Sequence, residues 1–225
     1  EGVSEGVGRQ FNSAHRLNMT DVPYKRATPE NLIVLGFTLT YIAIAAYYFF
    51  THEAAEFTFY LAILLVLVIG IAWMLPKWRL PLWALWAMSV LGLLHALGGG
   101  IHVNGQVLYD LVLIPIVNNG VNGITIWRFD QLVHPYGTAV AALITYYYLV
   151  RHSSLPVRAI AVMAALAAMG VGSINEVIEF TAKITIPHTD VGGYYNTLLD
   201  LCSNMIGAAV GVIGAAVKWG RVPPE

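Results

Sequence analysis

The stretch FTFYLAILLVLVIGIAWML, residues 57–75, decides the fold of this chain. It runs for 19 residues without a charged side chain. A helix needs about 20 apolar residues to cross the hydrocarbon core of a bilayer, because a backbone amide left unpaired in hydrocarbon costs several kcal/mol. The stretch is therefore predicted to be a membrane-spanning helix.

Five further stretches share this length and apolar character, so we predict an all-α fold, a polytopic membrane bundle of six transmembrane helices. Thr28 can cap the first helix and Pro29 suits its first position. Pro76 and Pro81 are expected to bracket a tight turn between the second and third helices. The predicted spans are 32–50, 57–75, 80–101, 131–150, 157–180 and 197–217, with a polar tail over 1–31 and a short tail over 218–225.

Composition supports a membrane location and excludes several classes of protein. Of the 225 residues, 57% are hydrophobic and 11% charged, whereas soluble domains have about 25% charged residues. The net charge of -1, without a long basic run, argues against nucleic acid as a partner. The single cysteine, Cys202, excludes an intrachain disulfide and a cysteine-based metal framework.

Lys and Arg are distributed unevenly between the two sides of the predicted bundle. Ten of the 12 fall in the two terminal segments and the second and fourth loops. Cytoplasmic loops retain positive charge, so both termini are predicted to be cytoplasmic. The first 31 residues lack the apolar core of a signal peptide, and we expect them to form a mobile tail.

The third predicted loop is longer than the others and rather apolar. Residues 107–117 are interrupted by Asp110 and Pro115 and are too few to span a bilayer, so they are interpreted as a re-entrant or interfacial segment. The Asn- and Gly-rich residues 118–123 after them are typical of a turn.

Ionisable side chains collect at the ends of the predicted spans that face away from the cytoplasm. Such groups are costly in a membrane and mark functional sites. The primary candidates for catalytic or metal-binding roles are Asp130, His134, Glu176, Glu179 and Asp200. The secondary candidates for metal binding are His95, His102, His188 and Asp190.

The spacing of these residues predicts that they point at a common centre. Residues three or four apart share a helix face, as Asp130 and His134 do, Glu176 and Glu179, and Asp200 and Asn204. His95 and His102 are seven apart and share a face only if the three glycines between them remain helical.

Two chemistries fit a cluster of carboxylates and imidazoles. Mixed oxygen and nitrogen ligands suit a divalent transition metal, Zn, Mn or Fe, better than Ca. Without a metal, the carboxylates could act as general acid and base or as a proton relay. The HExxH, GxSxG and P-loop patterns of hydrolases and nucleotide-binding proteins do not occur.

Structural roles for the same residues stay open. Glu179 and Lys183 are four apart and could form an ion pair, and Arg128 could neutralise Asp130 or Asp190. His134 could serve only as the hydrogen-bond partner of Asp130. Gly207 and Gly211 form a GxxxG pattern, which is typical of close helix packing.

The ordered motifs resemble those of VanZ-like membrane proteins, and in particular the YjdF-like branch. They are D-x-x-x-H at Asp130, E-x-x-E at Glu176, and D-x-x-x-N followed by small residues from Asp200. The resemblance covers residues 128–214 and implies a compact multi-span protein of a bacterial or archaeal inner membrane. VanZ-like proteins commonly have Gln where Glu179 stands and Arg in the loop before the last aspartate, where this chain has His188 and Asp190. These differences make the site here better suited to binding a metal ion than the site of VanZ-like proteins.

The leading hypothesis is an integral membrane protein with an outward-facing His/Asp/Glu site that acts on or binds a lipid or lipid-linked envelope precursor. Membrane lipids are its expected partners. One alternative is a noncatalytic structural or accessory subunit of a larger membrane-protein complex. Another is a proton-coupled or ion transporter, although no internal repeat supports it.

Overall fold

The computed structural model describes residues 28–52, 54–114, 127–187, 189 and 192–220. The predicted N-terminal tail lies almost entirely outside this part of the chain, as do the turn-rich residues 118–123. His188 and Asp190 also lie outside it.

The described chain is a bundle of six long helices. They are α1 (Pro29–Thr51), α2 (Ala55–Trp78), α3 (Leu82–Gly100), α4 (Asp130–His152), α5 (Val157–Thr185) and α6 (Tyr194–Trp219). All but α4 are long and apolar enough to cross a membrane. The chain is therefore a multi-pass membrane protein. At 23 residues, α4 is about 35 Å long, but its first two turns carry Asp130, Gln131 and His134, which make it more polar than the other helices.

Helix ends agree with the predictions where a local signal was clear. The Thr28 hydroxyl accepts a hydrogen bond from the backbone N–H of Asn31 at 3.4 Å, and Pro29 begins α1, as predicted. The tight turn predicted between α2 and α3 is confirmed and ends at Pro81, but its predicted start at Pro76 is wrong, because α2 continues through this proline to Trp78. Arg79 then ends the helix in a left-handed conformation with φ of 48°.

Two helices extend beyond their predicted spans at the polar end of the bundle. The helix α5 continues to Thr185 rather than ending near residue 180, and α6 begins at Tyr194. In α5 the Thr181 and Thr185 hydroxyls donate to backbone carbonyls one turn earlier. Hydropathy marks only the apolar part of a helix, so it misses turns that carry polar side chains.

The helices pack in two groups that meet at the contact between α3 and α4. In one group α1 packs against α3 and α2, and in the other α4 packs against α6 and α5. A Cβ atom on Gly211 would lie 2.6 Å from the backbone oxygen of Ala139, and one on Gly207 would overlap the backbone of Pro135. Close packing at the GxxxG pattern is thus confirmed, and it brings α6 against α4.

The connection between α3 and α4 forms a short cover at one end of the bundle. It contains an antiparallel pair of two-residue strands, β1 (His102–Val103) and β2 (Gln106–Val107), and then a 3-10 turn over Leu108–Asp110. The ring of Tyr109 lies against Gly98, where a Cβ would come within 2.6 Å of it. A β-bridge between Val112 and Arg128 returns the chain to the start of α4.

Candidate functional site

His134 is the centre of a cluster of buried polar side chains. Its Nε2 lies 3.3 Å from Asp130 Oδ1 and 3.6 Å from Glu179 Oε1. Its Nδ1 lies 3.3 Å from Glu176 Oε1. Asp130 is one helical turn before His134 on α4, and Glu176 and Glu179 lie on α5, so both predicted helix pairs face the same point.

The helix α6 supplies the remaining members of the cluster. Asp200 is fully buried, and Asn204 donates to Glu176 Oε1 at 3.5 Å. Asn196, one turn before Asp200, donates to Asp200 Oδ2 at 2.6 Å and to Asp130 Oδ2 at 3.3 Å. This amide therefore holds the carboxylates of α4 and α6 next to each other.

Several buried polar atoms of the cluster have no hydrogen-bond partner in the described structure. They include His134 Nε2, Glu176 Oε2 and Asp200 Oδ1. The contacts of His134 Nε2 with Asp130 and Glu179 are close but lack hydrogen-bond geometry. A buried polar atom without a partner costs about 1–3 kcal/mol, and a charged one more. Ordered water or a bound cation would compensate three such atoms in one cluster.

The spacing of the potential ligand atoms fits a metal ion. Two sets share His134, one with Asp130 and Asp200 and the other with Glu176 and Glu179, and within each set the ligand atoms lie within 4.8 Å of one another. Nitrogen and oxygen ligands at about 2.0–2.2 Å from a tetrahedral Zn ion are roughly 3.3–3.6 Å apart. The separations of His134 Nε2 from Asp130 and Glu179, 3.3 and 3.6 Å, lie in this range, and Glu176 lies 3.3 Å from the other ring nitrogen, Nδ1.

A cavity of about 150 Å³ adjoins the cluster. Asp130 and Glu179 line it on the side of the cluster, and the Asn175 amide, which donates to Glu179 Oε1 at 2.6 Å, lies beside them. Tyr109 and His95 also line the cavity, with the Tyr109 hydroxyl 2.6 Å from His95 Nδ1. Burial, with a contribution from Asp130, raises the pKa of the Tyr109 phenol well above its usual range, so this group stays protonated.

Of the secondary candidates, His95 and His102 do not join the two metal-ligand sets. His95 lines the cavity but bonds to Tyr109. The glycines before His102 are helical, but α3 ends at Gly100, so the exposed His102 lies on β1 rather than on the helix face of His95. His188 and Asp190 lie outside the described residues.

The structure shows which partners Arg128 and Glu179 contact. Arg128 pairs with Asp110, their atoms Nη1 and Oδ1 being 2.8 Å apart, rather than with Asp130 as considered. Glu179 contacts His134 and Asn175. The carboxylates of the cluster are thus gathered around a single imidazole within the described part of the chain.

Some residues of the site did not emerge from the sequence. Asn196 precedes Asp200 by four residues, so helical spacing could have indicated it. Glu56, a buried carboxylate at the start of α2, and Tyr109 both line the cavity. Their approach to α4 and α5 depends on tertiary packing, and no local pattern signals it.

Comparison with known proteins gives a family but no function. The model of the family described as "Predicted membrane protein (DUF2238)" matches residues 33–219. No curated protein and no solved structure matches the chain. The match includes all six helices of the bundle and every residue of the buried cluster. The chain therefore belongs to the DUF2238 family of predicted membrane proteins.

Proposed function

We propose that this protein holds a divalent transition metal ion, Zn, Mn or Fe, within the bundle and uses it to bind or act on a lipid or lipid-linked envelope precursor. Asp130, His134, Glu176, Glu179 and Asp200 would provide the ligands and the acid/base groups. The observation that carries the proposal is the pair of ligand sets that share His134, each with ligand atoms within 4.8 Å of one another, together with the buried atoms of His134, Glu176 and Asp200 that have no hydrogen-bond partner in the described structure.

A purely structural role accounts less well for these atoms. Polar side chains that tie membrane helices together do so by hydrogen bonding to one another. Here Asp200 is completely buried with one oxygen unpartnered, and His134 has an unpartnered ring nitrogen among three carboxylates. A bound cation offsets the repulsion among carboxylates and satisfies the open atoms of the ligand set that holds it.

A bound metal ion would supply Lewis acidity toward a carbonyl or phosphoryl oxygen, or lower the pKa of a water. Only part of the cluster needs to serve as ligands. A carboxylate that lines the cavity without holding the ion, such as Asp130 when the ion is held by His134, Glu176 and Glu179, would accept or donate a proton at the substrate. Asn175 and Asn196 orient the carboxylates of the cavity wall.

The lipid part of the proposal has two supports. The cavity beside the cluster combines carboxylates with apolar side chains from α2, such as Leu61 and Leu64, which suits an amphiphilic substrate. The resemblance to VanZ-like and YjdF-like proteins, which we propose as more distant kin, associates the chain with the cell envelope. We further propose that the cluster faces the outside of an inner membrane, from the distribution of Lys and Arg.

Replacement of Glu179 by Gln tests the centre directly. The side chain keeps its size but loses its charge, so we expect bound metal to fall from near stoichiometric to a small fraction while the protein still inserts. Elemental analysis of gently purified protein measures this loss. Glu30→Gln, the same change at an exposed position on α1, should retain the metal. Equal metal content in both variants would remove Glu179 from this role.

Replacement of Asn196 is expected to weaken metal binding less than replacement of Glu179 does. Asn196→Ala removes the hydrogen bonds to Asp130 and Asp200, which orient these carboxylates. Loss of such an outer-shell partner weakens metal affinity by about 10–100-fold. Competition with a chelator of known affinity measures the change, and the exposed Tyr194→Phe on the same helix should leave affinity unaltered. Wild-type affinity in Asn196→Ala would contradict this role.

A further inference from the structure

The cavity beside the cluster lies between α2 and α5, each of which packs mainly against other helices. Among the described helices, α2 packs on α1 and α3, whereas α5 packs on α4 and α6. Both nevertheless line the cavity, α2 with Leu64 and Leu67 and α5 with Ile178 and Glu179. Leu67 is 55% exposed, so the cavity reaches the lipid-facing surface of the bundle there.

The two ends of this cavity differ in polarity. The end toward the surface has leucine and isoleucine side chains of α2, which suit a hydrocarbon chain. The inner end has the Asp130 and Glu179 carboxylates and the Asn196 amide. A ligand that fills both ends must be an amphiphile with its polar group toward His134.

The negative charge at the inner end of the cavity favours a lipid with a cationic group in its headgroup. Among the described residues, the lining includes four carboxylates, Glu56, Asp110, Asp130 and Glu179, and no Lys or Arg. Asp110 is paired with Arg128, and Glu56 is buried at the start of α2. A divalent ion in the cluster would neutralise only two of its four carboxylates, so an acidic surface remains even in the metal-bound protein.

We infer that the cavity binds a membrane lipid with a primary ammonium headgroup, which enters between α2 and α5 and places its ammonium near Glu56 and Glu179. Ammonium groups make their strongest hydrogen bonds to carboxylates, and these are most effective where water is excluded. The inference deepens the proposed function and rests on it for the view that the substrate is a lipid.

Photocrosslinking in lipid nanodiscs tests this binding mode. The nanodiscs contain phosphatidylethanolamine and phosphatidylglycerol in equal amounts with identical acyl chains, and p-benzoylphenylalanine replaces Leu67. The matched control places it at Val66, which is 66% exposed on the same helix and does not line the cavity. The benzophenone reacts with C–H bonds of the acyl chains, so the ratio of the two adducts in a mass spectrum reports which lipid is present.

We expect phosphatidylethanolamine adducts at Leu67 to exceed phosphatidylglycerol adducts roughly tenfold, the scale of one hydrogen bond to a charged group. Adducts at Val66 should follow the bulk ratio. Glu56→Gln in the Leu67-substituted chain should bring its ratio toward that of Val66. Equal ratios at both positions, a preference for phosphatidylglycerol, or no effect of Glu56→Gln would overturn the inference.

Two further measurements test lipid binding without the benzophenone residue and separate it from metal binding. Native mass spectrometry of the unsubstituted protein, released from the same nanodiscs, should show the same preference among retained lipids, and absence of that preference overturns the inference. Elemental analysis of these samples separates the two proposals. Metal without a lipid preference rejects only the inference, whereas a lipid preference without metal rejects the metal centre and leaves the ammonium site standing.

Discussion

We expect His134→Gln to abolish binding of the proposed metal ion. His134 is the one residue common to both ligand sets and the imidazole around which the carboxylates of α4, α5 and α6 are arranged. Outer-shell changes alone weaken metal sites by about 10–100-fold, so loss of this ligand should weaken binding by roughly 100-fold or more. Elemental analysis after purification, and titration of the metal-free protein with Zn, measure the effect.

His152→Gln is the matched control for this experiment. It makes the same substitution at the other end of α4, where His152 is exposed and stacks beside Tyr148. We expect this variant to bind metal as the unaltered protein does. Equal metal binding by His134→Gln would reject the proposed centre, and equal losses in both variants would show that bound metal is not specific to the cluster.

Gly211→Ala separates α4 from α6 and lowers the stability of the bundle. The added methyl group would lie 2.6 Å from the backbone oxygen of Ala139 and 2.9 Å from its Cα, and backbone cannot move aside as a flexible side chain does. Overpacking of this kind costs about 1–3 kcal/mol. Thermal unfolding in a mild detergent should show the loss, together with reduced metal content, because Asp200 lies on the displaced helix.

Gly214→Ala supplies the control for the packing experiment. Gly214 lies on the same helix, three residues further, and a Cβ there would meet no atom within 4 Å. Alanine has the higher helix propensity, by up to about 1 kcal/mol in an exposed helix, so stability should stay level or rise slightly. A decrease equal to that of Gly211→Ala would mean that the effect comes from α6 itself and not from its contact with α4.

Much of the fold could be predicted because membrane helices leave a strong local signal. Long apolar stretches locate the helices, and the Thr28 cap fixes the start of α1. The ends near polar residues were less predictable. Residues such as Lys183 and Thr185 continue α5 although they end its apolar run. The sequence of α4 predicts a sixth span, but its hydropathy is below that of its neighbours because it carries the site.

The core of the site was predictable for a similar reason. Spacings of three and four residues place Glu176 with Glu179 and Asp130 with His134 on single faces, and burial then turns such faces inward. The partners that depend on long-range packing could not be found in this way. Arg128 meets Asp110 only because the chain returns through a β-bridge, and Glu56 reaches the cavity only through the packing of α2 on α3.

The polarity of α4 has a consequence for how the protein is made. A helix with Asp130 and His134 in its first turns partitions into lipid less well than a fully apolar one, although a charged residue near a helix end costs less than the about 2.5–3.5 kcal/mol of one at mid-helix. Its neighbours α5 and α6, which supply the partners of these residues, are synthesised later. We therefore expect stable insertion of α4 to depend on the arrival of α5 and α6.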